Sequence, residues 1–205
     1  MFLMIPEIAF DFAPIQPDRL TAACGQAPFL VTKAWRGENV PWEVNMSVST
    51  RLKELLDAGG AAYEHRVHPN AYTAAETAES VHIPRNEMAK TVIVNADGLL
   101  RMAVIPANRM VDLRHLKFIT RSENIRIASE REFRNQFPGC EVGAMPPFAT
   151  IFGLPVYCDV QLEHNEFIEF NAGTHHDTIR MAFHDFRRLA NPTMTDLVDH
   201  SNRAA

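Results

Sequence analysis

From Ser49 onward the chain switches between two spacings of apolar residues. Leu52, Leu55 and Leu56 recur at i, i+3 and i+4 behind Ser49 or Thr50, and Gly59-Gly60 follows, a spacing that predicts a capped helix of about ten residues. Residues 63–68 alternate as a strand. Thr73-Ala74-Ala75-Glu76 has the form of a capping box and opens an Ala-rich helix that ends near Val81, ahead of Pro84. Residues 90–95 and 99–105 are β-branched or apolar runs on either side of Asp97-Gly98, which predicts a hairpin. Leu113 and Leu116 predict a short helix, and Ile125 and Ile127 a strand. Ser129 with Glu132 repeats the capping box before a helix that carries Phe133 and Phe137 and stops at Pro138-Gly139. Strands are predicted at 156–160, 166–170 and 178–183, then a helix at 185–189. The hairpin demands an antiparallel pair among interleaved helices and strands, so the expected fold is α+β with a twisted mixed sheet flanked by short helices. No internal repeat is visible.

Residues 1–45 lack either period and hold five of the 13 prolines, so they read as an N-terminal extension to a domain spanning 46–192. Met46 would make a natural start for that domain. Residues 193–205 read as a polar tail. The length suits one sizeable core, and 46% hydrophobic with 22% charged residues fits a folded domain. A net charge of −5 argues against indiscriminate nucleic-acid binding, so phosphate contact needs a local patch. Arg101, Arg109, Arg114, Lys117, Arg121 and Arg126 against Asp112 and Glu123 form such a stretch. Cys24, Cys140 and Cys158 lie far apart with no CxxC pair, which speaks against a zinc site or a disulfide framework. No apolar run is long enough to span a membrane, and the expected location is cytoplasmic.

Three places concentrate chemistry. Lys90 is one of only four lysines against 16 arginines and opens an apolar strand, where its stem can be buried and its ammonium aimed at an anion or a polarised carbonyl; a snorkelling surface lysine would look the same. Gly143-Ala144-Met145-Pro146-Pro147 is a stiff loop whose glycine permits close approach and whose amides could serve an oxyanion; a structural proline turn has the same letters. Gly173-Thr174-His175-His176-Asp177 gathers titratable groups between two strands, as an oriented base or as a capped turn. Adjacent histidines on a strand face opposite ways, which disfavours a shared metal. The other histidines, His68 among them, form no catalytic spacing and read as solvated or locally bonded. Walker, GxGxxG and GxSxG patterns are missing, which leaves nucleotide hydrolysis, dinucleotide redox chemistry and the serine-hydrolase elbow without support.

The order of these signals carries more than each alone. Ala71-Tyr72-Thr73-Ala74-Ala75-Glu76, Met88-Ala89-Lys90-Thr91-Val92-Ile93-Val94, Gly143 to Phe148 with Leu154-Pro155-Val156-Tyr157, and Phe170 to His175 with Asp185-Phe186 resemble the YbaK/EbsC family, free-standing relatives of the prolyl-tRNA synthetase editing domain. The resemblance covers residues 48–192. It implies hydrolysis of the ester joining a wrong amino acid, typically alanine or cysteine, to proline tRNA, without metal or cofactor. By the same resemblance Lys90 places the terminal nucleotide or substrate and Gly143 brings its loop to the carbonyl. The pocket residue then falls among His176, Asp177 and Thr178, with Asp177 the catalytic candidate. Tyr72, Thr73, Ala144, Met145, Pro146, Gly173 and His175 are the remaining substrate-binding candidates, and Arg109, Arg114 and Lys117 the tRNA contacts. The partners implied are tRNA and prolyl-tRNA synthetase. A non-catalytic module that binds an aminoacyl-tRNA end or a small metabolite is the alternative from another class.

Overall fold

The structure, a computed structural model, describes residues 48–200. The expected N-terminal extension lies outside the described residues, as do Cys24 and the last five positions.

Helix α1 (Val48–Ala58) begins one residue before Ser49, so Ser49 and Thr50 lie within its first turn instead of ahead of it. Leu52 and Leu56 are fully buried, as their spacing requires. Strand β1 (Tyr63–Val67) leads to α2 (Ala74–Ser80), whose capping box forms: the Glu76 amide donates to Thr73 Oγ1 at 3.2 Å, and the Thr73 amide donates back to Glu76 at 3.1 Å. Strands β2 (Ala89–Ala96) and β3 (Leu99–Pro106) pair along their whole length. Asp97 and Gly98 both take positive φ, 52° and 86°, the geometry of the tight hairpin turn that matches strand twist. The Asp97 carboxylate also accepts from the Glu123 and Asn124 amides, both at 2.8 Å, which fixes the entry to β4 (Ile125–Ile127) beside β2. Between them runs α3 (Leu113–Thr120), capped by Asp112.

Helix α4 (Glu130–Phe133) is shorter than its sequence pattern predicts and continues as a 3-10 turn, Arg134–Gln136, before Pro138. Glu132 accepts from the Ser129 amide as expected. Helix α5 (Ala149–Phe152) and a 3-10 turn at Val160–His164, neither foreseen, flank β5 (Val156–Asp159). Strands β6 (Phe167–Asn171) and β7 (Asp177–Ala182) and helix α6 (Phe183–Ala190) follow.

The segment expected to be a polar tail is instead structural. Thr193–Thr195 forms β8, parallel to β5, and Leu197 and Val198 are buried. Buried Asp159 is the reason: its carboxylate accepts from the Leu197 amide at 2.6 Å, so the chain after Pro192 supplies a donor that a buried acceptor needs.

The strands form two sheets, β1-β7-β6 and β4-β2-β3-β5-β8, the second mixed because β3, β5 and β8 run parallel. A bridge between Met88 and Glu169 joins them, with the Glu169 amide donating to Glu87 O at 3.0 Å. The main core lies against the inner faces of both sheets, with Ile93, Met102 and Val104 from one and Ile168, Phe170, Ile179 and Met181 from the other. Phe148 fills it at ring distances of 5.5 Å from Phe170 and 5.6 Å from Phe186. The outer face of the five-stranded sheet carries a second apolar cluster, Val94, Ala103 and Ile105 under Leu116, Leu197 and Val198.

Candidate active site

Strands β6 and β7 are joined by a turn that Ala172 closes, its amide donating to Asp177 O at 2.9 Å. That turn is lashed to the glycine-proline loop by backbone. The Gly173 amide donates to Ala144 O at 2.9 Å and the Glu141 amide to Gly173 O at 2.8 Å. His175 adds two bonds: its amide donates to Glu141 Oε2 at 2.6 Å, and its ring Nε2 lies 3.0 Å from Val142 O. A carbonyl only accepts, so Nε2 carries the proton and Nδ1 the lone pair. That Nδ1 is buried and finds no donor among the described residues. The third segment arrives through Ala71, whose amide donates to His175 O at 3.0 Å, and Tyr72, whose exposed ring stands 5.1 Å from the His175 ring. Tyr72, the loop and the turn therefore meet.

Within the loop, Ala144, Met145 and Pro146 are buried, and the side chain of Met145 belongs to the main core. Gly143 is the part left exposed. Its φ of +93° suits glycine, whereas a Cβ there would meet His175 Cε1 only at 3.4 Å, so backbone conformation and not space selects the residue. Its amide faces Met145 Sδ at 3.3 Å, a weak acceptor that a substrate oxygen can replace.

Paired residues of neighbouring antiparallel strands share a face, and alternate residues share it again. The registers therefore place Arg66, Thr178, Asn171, Glu169 and Arg180 on the outer face of the three-stranded sheet. His68 continues it, two positions beyond Arg66, with its amide donating to His176 O at 2.9 Å. This face is polar although much of it is buried. Glu169 is fully covered, accepts from Thr178 Oγ1 at 2.6 Å and lies 3.3 Å from Arg66. Burial pushes its carboxyl above the ordinary value, against the lowering by Thr178 and the two arginines, Arg66 and Arg180. His68 Nδ1 sits 2.7 Å from Pro69 O, which makes Nδ1 a donor, and the buried Nε2 has no partner among the described residues. Asn171 Oδ1 is likewise unpartnered.

Lys90 joins this face through the bridge, because Met88 stands with Glu169 and Lys90 is two positions further along β2. Its ammonium donates to Ala107 O at 3.1 Å, and burial lowers its pKa. Ala107 and Met88 pack under Ala78 of α2, and Ser80 of the same helix lies 3.3 Å from His68 Nδ1, so α2 borders both Lys90 and His68. Direct bonds from Lys90 to the loop or the turn are not formed.

Other residues named from sequence are placed differently. Asp177 and Thr178 alternate on β7, so only Thr178 belongs to the buried polar face. Asp177 is held by His65 and Thr174, each at 2.7 Å, with His176 at 3.3 Å. Burial would raise its carboxyl, but the bonds from Thr174 and His65 and the charge of His176 prevail and lower it. His176 is exposed, and Thr73 is occupied as the cap of α2. Arg109 donates to Gln161 at 3.2 Å, whereas Arg114 and Lys117 stand exposed on α3. Sequence reasoning missed Glu169, Asn171 and His68. The signal for the first two was the polar alternation of Glu169 and Asn171 within an apolar strand, echoed by Thr178 and Arg180.

Burial pushes the Cys140 thiol up to about 12 and raises that of Cys158 as well, so neither is a thiolate nucleophile near neutrality. Among the described residues there is no group of three His, Cys, Asp or Glu placed to hold a metal, and no helix long and apolar enough to cross a membrane.

The glycine-proline loop, the histidine turn and Tyr72 thus meet in an α+β domain, with half-buried Lys90 on the face of the neighbouring strand. The family model described as aminoacyl-tRNA editing domain matches residues 68–189, and the chain belongs to that family. The YbaK-like resemblance read from its motifs agrees with this match. Among solved structures, a candidate trans-editing enzyme for prolyl tRNA synthetase is similar at 20% identity and a TM-score of 0.66, covering 74% of this chain and 97% of that one. The hypothetical protein APE2540 is similar at 20% identity and 0.66, covering 73% and 99%. A longer chain, described as a signal transduction protein from Marinobacter aquaeolei VT8, matches at 21% and 0.59, with 75% of this chain covering 31% of it. At these identities the likeness is one of fold. No curated protein matches the sequence.

Proposed function

We propose that this domain hydrolyses the ester of a tRNA charged with a small, wrong amino acid, alanine or cysteine foremost and serine third, on proline tRNA. The observation that carries the reading is the lashing of the Gly143 loop to the His175 turn, which fixes an exposed glycine, its amide donating to Met145 Sδ, beside the His175 ring. An aminoacyl ester is already activated, so positioning a water and stabilising the oxyanion suffice without an enzymic nucleophile. Water adds to the carbonyl carbon, the C–O bond to the ribose breaks, and the amino acid leaves as a carboxylic acid while the ribose oxygen takes the proton. Gly143 N–H, exchanging Met145 Sδ for the substrate, is the donor for the oxyanion in this reading. Lys90 supplies a cation for the terminal phosphate or the polarised carbonyl.

The unpartnered acceptors support a donor-rich ligand. His68 Nε2, Asn171 Oδ1 and His175 Nδ1 each lack a donor among the described residues, and an α-ammonium or a ribose hydroxyl brings donors. A pocket separates side chains by only roughly 1 to 3 kcal/mol per methylene, which makes a second, editing site useful to a synthetase. In this reading the reaction needs no metal, takes place in the cytoplasm and serves prolyl-tRNA synthetase. A panel of mischarged tRNAs, incubated with the purified protein with and without chelator, tests it. Release of alanine or cysteine from proline tRNA in both arms is expected. Binding without release would make the domain a binding module, and loss of release with chelator would overturn metal independence.

A further inference from the structure

The outer side of α3 is not used by the site above. Leu116 anchors the helix, fully buried in the second apolar cluster, and Asp112 caps it by accepting from the Arg114 and His115 amides at 2.8 and 3.1 Å. Its exposed residues are cationic or aromatic. Arg114, His115, Lys117 and Arg121 are exposed, and Phe118 is 80% exposed among them, an unusual position for a large aromatic side chain. Among the described residues Arg114, Lys117 and Arg121 enter no side-chain hydrogen bond or ion pair, whereas Arg66, Arg85, Arg126, Arg180, Arg187 and Arg188 are all matched with carboxylates. Of the neighbouring acids, Asp112 holds the helix cap, Asp97 accepts the amides of β4 and feels the charge of Lys117, and Glu123 stands exposed beside Arg114 and Lys117. Together with Ile119 and Ser122 the three cations and Phe118 line a groove of about 650 Å³.

We propose that this groove docks the acceptor stem of tRNA, with Arg114, Lys117 and Arg121 on its phosphates and Phe118 against its riboses. The proposal rests on the editing reading for the identity of the RNA, and charge complementarity argues for the occupant. On a chain of net charge −5, an unmatched cationic cluster attracts a dense polyanion and little else, and ion pairs have already neutralised many other arginines. Position fits as well. The C-terminal end of α3 leads into β4, which pairs with the far end of β2 at Ala96, whereas Lys90 opens that strand. Six residues of strand separate them by about 20 Å, so the cations lie away from the reacting ester, where duplex follows the single-stranded end. Double-stranded RNA is read through phosphates and ribose hydroxyls, which suits three cations and a flat apolar side chain better than a set of base-reading groups would.

Uncharged tRNA is the probe, because its binding does not depend on hydrolysis. Affinity is measured by fluorescence anisotropy between about 50 and 200 mM salt for the wild type, for the triple variant Arg114→Gln, Lys117→Gln, Arg121→Gln, and for Phe118→Ser. The triple variant should bind at least about tenfold more weakly at the lower salt, and its log–log salt slope should be shallower by roughly two to three. Phe118→Ser should weaken binding with the slope retained. A second readout is the ratio of kcat/KM on mischarged tRNA to that on an aminoacyl-adenosine ester, which should fall at least about tenfold in the triple variant because only the tRNA reaches α3. Unchanged affinity and slope would overturn the docking. So would a wild-type dimer, seen by sedimentation, that the Phe118 variant dissociates while its tRNA binding stays intact. If the wild type hydrolyses neither substrate but the slope still falls, the docking stands and the editing reading fails.

Discussion

The two sheets share one core on their inner faces but carry opposite chemistry on their outer faces. Outside the five-stranded sheet, Val94, Ala103 and Ile105 meet Leu116, Leu197 and Val198 in a dry contact. Outside the three-stranded sheet stand Arg66, His68, Glu169, Asn171, Thr178 and Arg180, several of them as thoroughly buried. Apolar burial is favourable wherever it occurs, whereas a buried carboxylate and buried acceptors without donors are a standing expense. A fold keeps such groups where a ligand repays them. The contrast separates scaffold from candidate site more sharply than conventional catalytic spacing does, and Lys90 stands on the border between the two.

The largest test acts on the dry face. Leu116→Ala removes a fully buried side chain and should destabilise the domain by about 2 to 5 kcal/mol, read by denaturant unfolding, while turnover of an aminoacyl-adenosine ester, which does not reach α3, is retained per folded molecule. A parallel loss of turnover would blur the division. On the border, Lys90→Ala should cut single-turnover deacylation by about 100-fold, equivalent to about 2.7 kcal/mol of barrier, and shift stability by less than about 1 kcal/mol. A stability loss as large as the rate loss would make Lys90 part of the scaffold.

On the polar face, Thr178→Val keeps the shape and deletes the donor to Glu169, leaving a covered carboxylate short of a bond. Destabilisation of about 1 to 3 kcal/mol in denaturant unfolding is expected, although no apolar contact is lost. The smallest effect is one of pH. Burial holds the Glu169 carboxyl above its unfolded value of 4.5, so the native state keeps the proton longer than the unfolded chain. The stability that follows is fully present below the unfolded pKa and is lost as pH rises through the native one. Glu169→Gln cannot ionise, so melting temperatures followed from about pH 4 to pH 8 should shift in favour of the variant as pH rises. A constant difference would show that Glu169 titrates as in the unfolded chain.

Local chemistry was legible in the chain. The hairpin around Asp97-Gly98 and the capping boxes at Thr73 and Ser129 form where the sequence predicts them, because each is decided within about four residues by backbone conformation and short-range bonds. Elements that depend on distant partners were misread. Residues 193–198 look polar enough for a tail, and only the buried carboxylate of Asp159, 38 positions from Leu197, turns them into a strand and a core segment.

For the site, the sequence by itself determined the residue types and their order, Lys90, the Gly143 loop and the His175 turn, since a motif is a property of neighbours along the chain. Tertiary structure alone decided which of them meet and which way they face. The backbone bonds that tie Gly173 to Ala144 and Glu141 join segments about 30 positions apart, and the choice between Asp177 and Thr178 turns on a strand register in which a shift of one residue reverses every side chain. The orientation of the His68 and His175 rings follows the same rule. Each is fixed by a carbonyl on one nitrogen, and its other nitrogen meets no partner among the described residues packed around it.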